Sequence, residues 1–200
     1  MIVKVCGITN PGDAQLACEA GATAIGFNFY LRSPRYIAPE RAAEIPTPPG
    51  VRRVGVFVNE SPAAIERIAR TASLDVAQLH GEERPADYPP ALAVWKAARV
   101  TVDFSAQPFL ECPIEALLLD GPAGASYGGA GKSFEWRLAS ACPIRVILAG
   151  GLDGSNVAEA IAAAHPWGVD ACSRIESAPG KKDPVKMTQY LAAAREAFRA

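Results

Sequence analysis

Met1-Ile2-Val3-Lys4-Val5-Cys6-Gly7-Ile8-Thr9 is the stretch that decides the fold. A run of strand-favouring residues from Ile2 ends on Cys6, and Gly7 stops it. Ile114-Glu115-Ala116-Leu117-Leu118-Leu119-Asp120 follows the same plan, with Gly121 next. An ionisable side chain on the last residue of a buried strand is unfavourable unless it faces a site. A thiol and a carboxylate placed this way make Cys6 a candidate general base and Asp120 a candidate general acid.

Outward from these two runs the same grammar repeats. Apolar stretches occur at Ile2–Cys6, Ala22–Phe27, Val51–Val58, Asp75–Leu79, Leu92–Lys96, Ile114–Asp120, Arg145–Ala149 and Gly168–Cys172. They are near-continuous rather than alternating, as in parallel strands covered on both faces. Helical patterns lie between several of them. Asn10-Pro11, Ser61-Pro62 and Asp183-Pro184 each pair a capping side chain with proline at the first helical position. They open helices over Asp13–Glu19, Ala63–Arg70 and onward to Arg195, and a further helix is expected from Asp153 to Ala164, before Pro166. Glu82–Tyr88 and Val102–Ala106 are too short or proline-broken for regular helices.

Strict βα alternation at about 25 residues per unit points to an α/β chain, a compact single-domain (β/α)8 TIM barrel over residues 1–200 with some short or irregular helices. The competing layout, an open doubly wound sheet, lacks its dinucleotide signature. Gly150-Gly151-Leu152-Asp153-Gly154 does not have the G-x-G-x-x-G spacing.

The 200 residues are 50% hydrophobic and 20% charged, with net charge −1. That balance suits a globular core and gives no general argument for nucleic acid or an anionic membrane as partner. No apolar stretch is long enough to span a bilayer, and no basic-then-apolar leader is read at the N-terminus. The five cysteines include no C-x-x-C pair, and their odd number argues against a disulfide framework and for a reduced, cytoplasmic setting. Two histidines, His80 and His165, with no ligand cluster, argue against a zinc requirement.

In a barrel the site is built from the C-terminal ends of the strands. These ends supply Cys6, then Asn28 with the basic loop Arg32-Ser33-Pro34-Arg35-Tyr36, then Gln78-Leu79-His80-Gly81. Asp120, Ala149-Gly150-Gly151-Leu152 and, through Asp170, Cys172-Ser173-Arg174 complete the set. The glycines after the seventh strand admit close backbone approach, and the loops after strands seven and eight commonly hold phosphate in barrels. The residues therefore describe a site for a phosphorylated small molecule with an acid, a base and an arginine.

Read as motifs, Lys4-Val5-Cys6-Gly7-Ile8-Thr9, Gly26-Phe27-Asn28-Phe29-Tyr30, Ser33-Pro34-Arg35-Tyr36-Ile37 and Val54-Gly55-Val56-Phe57-Val58-Asn59 resemble the phosphoribosylanthranilate isomerase family. The likeness continues, in that family's order, through Gln78-Leu79-His80-Gly81-Glu82, Leu118-Leu119-Asp120 and Tyr127-Gly128-Gly129-Ala130-Gly131-Lys132. It ends with Ala149-Gly150-Gly151-Leu152 and Pro179-Gly180-Lys181-Lys182-Asp183. The resemblance implies an Amadori rearrangement in tryptophan biosynthesis with no metal or organic cofactor, in a monomer or homodimer. It assigns Asp120 as general acid on the furanose oxygen and Cys6 as general base at C2. Arg35 is implied as the partner of the anthranilate carboxylate, suited by its planar fork. Gln78, His80, Gly150, Gly151, Asp170, Ser173 and Arg174 are expected to bind substrate.

Two positions depart from the family pattern. Cys172-Ser173-Arg174 stands where Ser-Ser-Gly is usual, so the loop either strains at 174 or gains a charge for the phosphate. Phe134-Glu135-Trp136 carries Glu where Asp is commoner. Plainer readings stand beside the functional ones. Asp120-Gly121 is also a turn initiator, and Cys6, like Cys18, Cys112 and Cys142, is also a small core hydrophobe. Asp170 reads as a carboxylate satisfied by neighbouring backbone or as a site-lining group. His80 reads as a loop-orienting residue, His165 as a solvated or helix-end residue, Arg32 as surface charge and Lys181-Lys182 as a solvated loop. Two other functions stay open at this point: the related isomerase of histidine biosynthesis, which calls for two catalytic aspartates, and a non-catalytic phosphate-binding barrel.

Overall fold

The computed structural model describes residues 1–100, 104–121, 136, 139–140 and 142–200. The Tyr127–Lys132 motif, Glu135 and residues 102–103 lie outside them. Eight strands close into a barrel: β1 (Ile2–Cys6), β2 (Ala24–Asn28), β3 (Arg52–Phe57), β4 (Val76–Leu79), β5 (Ala93–Arg99), β6 (Ala116–Asp120), β7 (Val146–Ala149) and β8 (Gly168–Ala171). Each pairs in parallel with the next, and β8 returns to β1 with Lys4 opposite Asp170 and Val5 opposite Ala171. The described residues also form α1 (Pro11–Glu19), α2 (Pro39–Ala43), α3 (Pro62–Ala72), α4 (Val157–Ala164) and α5 (Pro184–Ala197). A short antiparallel ribbon, β9 (Glu176–Ala178) and β10 (Lys181–Lys182), follows β8. Among the described residues no helix is long and apolar enough to cross a membrane.

The period of two along a strand sorts the residues. Val3, Val5, Ile25, Phe27 and Leu117 face outward into the layer shared with the helices. Ile2, Ala24, Val54, Val76, Trp95, Ala116, Leu118 and Ile147 face the barrel interior. Trp95 is fully buried, and its Nε1–H donates to Glu115 at 2.7 Å. Glu115 also pairs with Arg52, while Trp167 meets Trp95 edge-on at 6.0 Å. One end of the barrel is thus plugged by aromatic and paired side chains, and the opposite, C-terminal end is left for chemistry.

The helix starts form as their sequences dictate. The Asn10 side chain accepts from the Asp13 N–H, Ser61 from Ala64 and Asp183 from Val185 and Lys186, each with proline in the first turn. Several strand and helix boundaries lie a few residues from those expected, β5 running on to Arg99 among them, and the β9–β10 ribbon was not expected. The fourth helix begins at Val157 rather than Asp153, because the Asp153 carboxylate accepts from both the N–H and hydroxyl of Ser155 and builds a turn instead. Strand β8 stops at Ala171, since Cys172 turns away at φ −135°, ψ −86°. The five-residue α2 carries no side-chain cap and was not expected. Its C-terminal carbonyls are instead met by Arg53, which donates to Ala42 O, Ile45 O and, from α3, Ala72 O.

Candidate active site

Parity carries the chemistry to one place. Ile2, Lys4 and Cys6 point inward along β1; Gln78 and Asp120 do so at the ends of β4 and β6. Cys6 and Asp120, with Arg35, Gln78, His80, Gly150, Gly151, Asp170, Ser173 and Arg174, all line one cavity of about 270 Å³ at the C-terminal end of the barrel. Every site residue expected from the sequence therefore reaches the same space.

The floor of the cavity is ionic. Lys4, fully buried, donates to Asp170 Oδ2 at 2.8 Å. Burial works to lower the ammonium's pKa, but attraction to Asp170 and to Cys6 outweighs it and the net shift is upward. Burial pushes the Asp170 carboxyl up to about 7 against the pull of Lys4. Asp170 is thus satisfied by a lysine and not by backbone. Its second oxygen, Oδ1, and Gln78 Oε1 are buried acceptors without a partner among the described residues. Buried polar atoms are normally satisfied, so both are suited to ligand hydroxyls.

Cys6, 8% exposed, lies two residues beyond Lys4 on the same face of β1. A hydrogen bond from the Cys172 thiol holds the Cys6 pKa well below the ordinary thiol value, against burial and with help from Lys4 and Lys182. The thiolate is the basic form, so this arrangement supplies what an isolated cysteine lacks. Asp120 lies across the mouth, its Oδ2 3.3 Å from His80 Nε2. The Gln78 amide is 3.4 Å from His80 Nδ1. With that amide donating, the imidazole proton resides on Nε2 and faces Asp120. The loop bearing His80 is fixed by Glu83, which accepts from the N–H groups of Asn59 and Gly81 and from Lys96 Nζ at 3.0 Å.

Gly150 is required where it stands. Its φ is +85°, and a Cβ there would lie 2.5 Å from Gly121 N and 2.9 Å from Asp120 Oδ1. The β7 loop therefore presses directly on the β6 end that carries Asp120.

Arg35 is held rather than loose. Its Nε donates to both Glu176 oxygens, at 2.9 and 3.1 Å, and its Nη2 to Oε2 at 2.6 Å. The bidentate pair leaves Nη1 for a ligand. Glu176 also accepts from Lys182 Nζ at 2.9 Å, which in turn donates to Cys172 O at 3.2 Å. The expectation of a solvated Lys181-Lys182 loop is corrected here: Lys181 is exposed, but Lys182 is 1% exposed and belongs to the frame of the site. Arg174 pairs with Asp153 at 2.5 Å, joining the loops after β7 and β8. It is absent from the positive-φ residues, so replacing glycine there brings no left-handed strain. Arg32 and His165 are exposed and His165 ends α4, as read from sequence; the structure adds that His165 does so in the left-handed conformation.

Sequence reasoning gave no role to Lys4 or Glu176, placed Cys172 only within the strand-eight loop and read Lys182 as solvated. Lys4 carried a signal, since a lysine two residues before Cys6 shares its inward face. Glu176 and Lys182 had none, because they sit on a ribbon that only the tertiary fold brings against Arg35 and Cys172.

A family model described as N-(5'phosphoribosyl)anthranilate (PRA) isomerase matches residues 3–193. The N-(5'-phosphoribosyl)anthranilate isomerase of Solibacter usitatus is 66% identical over 200 residues, covering 100% of both chains. The phosphoribosyl anthranilate isomerase structure from Thermus thermophilus superposes with TM-score 0.87 at 38% identity, covering 98% of this chain and 99% of its own. Another isomerase structure, at TM-score 0.83 and 36% identity over 98% of this chain and 100% of its own, is a complex with reduced 1-(o-carboxyphenylamino)-1-deoxyribulose 5-phosphate. A barrel closed in the same order, with thiol and carboxylate at the ends of β1 and β6, joins these matches in one conclusion: the chain belongs to the N-(5'-phosphoribosyl)anthranilate isomerase family.

Proposed function

We propose that the chain, as a single barrel domain over residues 1–200 in the cytoplasm, converts N-(5-phosphoribosyl)anthranilate to 1-(2-carboxyphenylamino)-1-deoxyribulose 5-phosphate, a step of L-tryptophan biosynthesis. The observation that carries the reading is the placement of Cys6 and Asp120 on opposite sides of one cavity, with Arg35 and two glycine- and serine-bearing loops on its rim. Asp120 protonates the furanose ring oxygen; the ring opens and leaves a cationic imine on the anthranilate nitrogen. Cys6 removes the proton from C2, and the enolamine formed tautomerises to the ketone. The His80 Nε2–H beside Asp120 lies on the route by which a proton returns to that carboxylate.

Arg35 Nη1 receives the anthranilate carboxylate, and the orphaned acceptors of Gln78 and Asp170 receive the ribose hydroxyls. Gly150, Gly151 and Ser173 surround the phosphate, as loops seven and eight do in barrels generally. Arg174, already committed to Asp153, ties those two loops together. Each positioned acid or base contributes about 10²–10⁴ in rate. The test follows the loss of phosphoribosylanthranilate fluorescence, the substrate being generated in situ. Cys6→Ser and Asp120→Asn, both nearly isosteric, should each reduce kcat by about a hundredfold or more while the thermal transition stays in place. Near-normal turnover in either variant would remove that residue from its role.

A further inference from the structure

Cys6 and Cys172 are neighbours by construction of the barrel seam. Val5 stands opposite Ala171 on the parallel strands β1 and β8, and Cys6 and Cys172 are the next residue on each side, Cys172 where the chain turns off the strand. Neighbouring strands lie about 4.8 Å apart, within the range of about 4.4–6.8 Å between Cα atoms that a disulfide bridges. Both residues line the cavity, so a small solute that enters it meets both sulfurs. Cys172 Sγ crowds the Gly7 Cα, 3.1 Å from where a Cβ would stand, which places it toward β1. Cations flank the pair on both sides: Lys4 carries an attraction to Cys6 from below, and Lys182 Nζ is 4.0 Å from Cys172 Sγ. A nucleophilic Cys6 thiolate beside a second sulfur held as a thiol at Cys172, with a lysine near each, is the arrangement of an attacking and a resolving cysteine.

We propose that Cys6 and Cys172 form a reversible, peroxide-responsive dithiol that switches the barrel off under oxidising conditions. The Cys6 thiolate attacks one oxygen of a hydroperoxide; the O–O bond breaks, hydroxide or alkoxide leaves, and Cys6 becomes a sulfenic acid. The Cys172 sulfur then attacks the Cys6 sulfur, the S–O bond breaks, and water leaves with the Cys172 proton. Two thiols have lost two electrons in total, and one hydroperoxide has been reduced to water and an alcohol or a second water. An external dithiol reverses the step by exchange. The bridge needs only the two sulfurs, whereas the accompanying loss of turnover rests on Cys6 being the base.

The test treats the purified full chain with hydrogen peroxide, blocks residual thiols, digests without reductant and reads the linkage by mass spectrometry. The expected result is a linked pair of peptides containing Cys6 and Cys172, separated by dithiothreitol. Turnover should fall by about a hundredfold with bridging and recover after reduction. In Cys172→Ser, and in Cys172→Ala as a second variant, the sulfenic acid on Cys6 should be trapped by dimedone and should progress to sulfinic acid, with turnover that dithiothreitol no longer restores. Oxidation of Cys6 in the wild type with no linked peptide, or linkage of Cys6 to Cys18, Cys112 or Cys142 instead, would overturn the proposal. A linked peptide with undiminished turnover would overturn the switch and, separately, remove the base assignment of Cys6.

Discussion

Glu176 decides what Arg35 can do. It grips two of the three guanidinium nitrogens and leaves the third for a ligand of the cavity that Arg35 lines. Arg35→Ala should mainly raise KM, by about tenfold or more, since a hydrogen bond to a charged group contributes about 1.5–3 kcal/mol. A collapse of kcat with KM unchanged would contradict a ground-state binding role. Glu176→Gln keeps the shape but loosens the grip, so its KM should rise by a smaller factor than in Arg35→Ala, with kcat held; steady-state kinetics distinguish the two. Gly150→Ala should act on kcat instead, because its methyl would push against Asp120 and Gly121. Cys6 and Asp120 were legible as ionisable groups at the ends of apolar runs, a local pattern that needs no fold. Glu176 was not, because it lies 141 positions from Arg35 and nothing in its own neighbourhood marks it.

At the scale of elements, the strands and the proline-led helices were legible because each carries its own signal: a continuous apolar run, or a capping side chain followed by proline. The short α2 was not legible, because its stability is borrowed. Arg53 projects outward from β3, stacks on Phe27 at 4.7 Å and satisfies carbonyls at the ends of α2 and α3. Removing it strands several buried acceptors at once. Arg53→Met, which keeps the stem and deletes the donors, should lower unfolding free energy by about 2 kcal/mol or more, measured by urea denaturation. An unchanged midpoint would mean that water satisfies those carbonyls as well as the guanidinium does. The start of α4 was misjudged for a related reason: aspartate at 153 caps a helix in general, but with Ser155 two residues on it closes its own turn.

Over the whole molecule, buried carboxylates set the response to acid. Burial works to raise Glu176 and Glu83, but hydrogen bonds and attraction from Arg35 and Lys182, and from Asn59 and Lys96, hold both below the ordinary value of 4.5. A group depressed in the folded state contributes stability above its unfolded pKa and loses it as pH falls through the folded one. Glu176→Gln should therefore melt well below wild type at pH 7, and the gap should narrow progressively below about pH 4.5. Asp170, raised by burial, acts in the opposite sense, and a wild-type-minus-variant difference cancels it. A gap independent of pH would assign the loss to packing rather than charge. The seam between β1 and β8 has one more consequence. Lys4 and Asp170 are 166 positions apart, so Cys6 is made long before Asp170, Cys172 and Lys182. A chain still emerging from the ribosome carries an ordinary thiol. That sulfur acquires its reactivity only when β8 has been made and the ring of strands shuts, so the catalytic group is armed by the same event that closes the barrel.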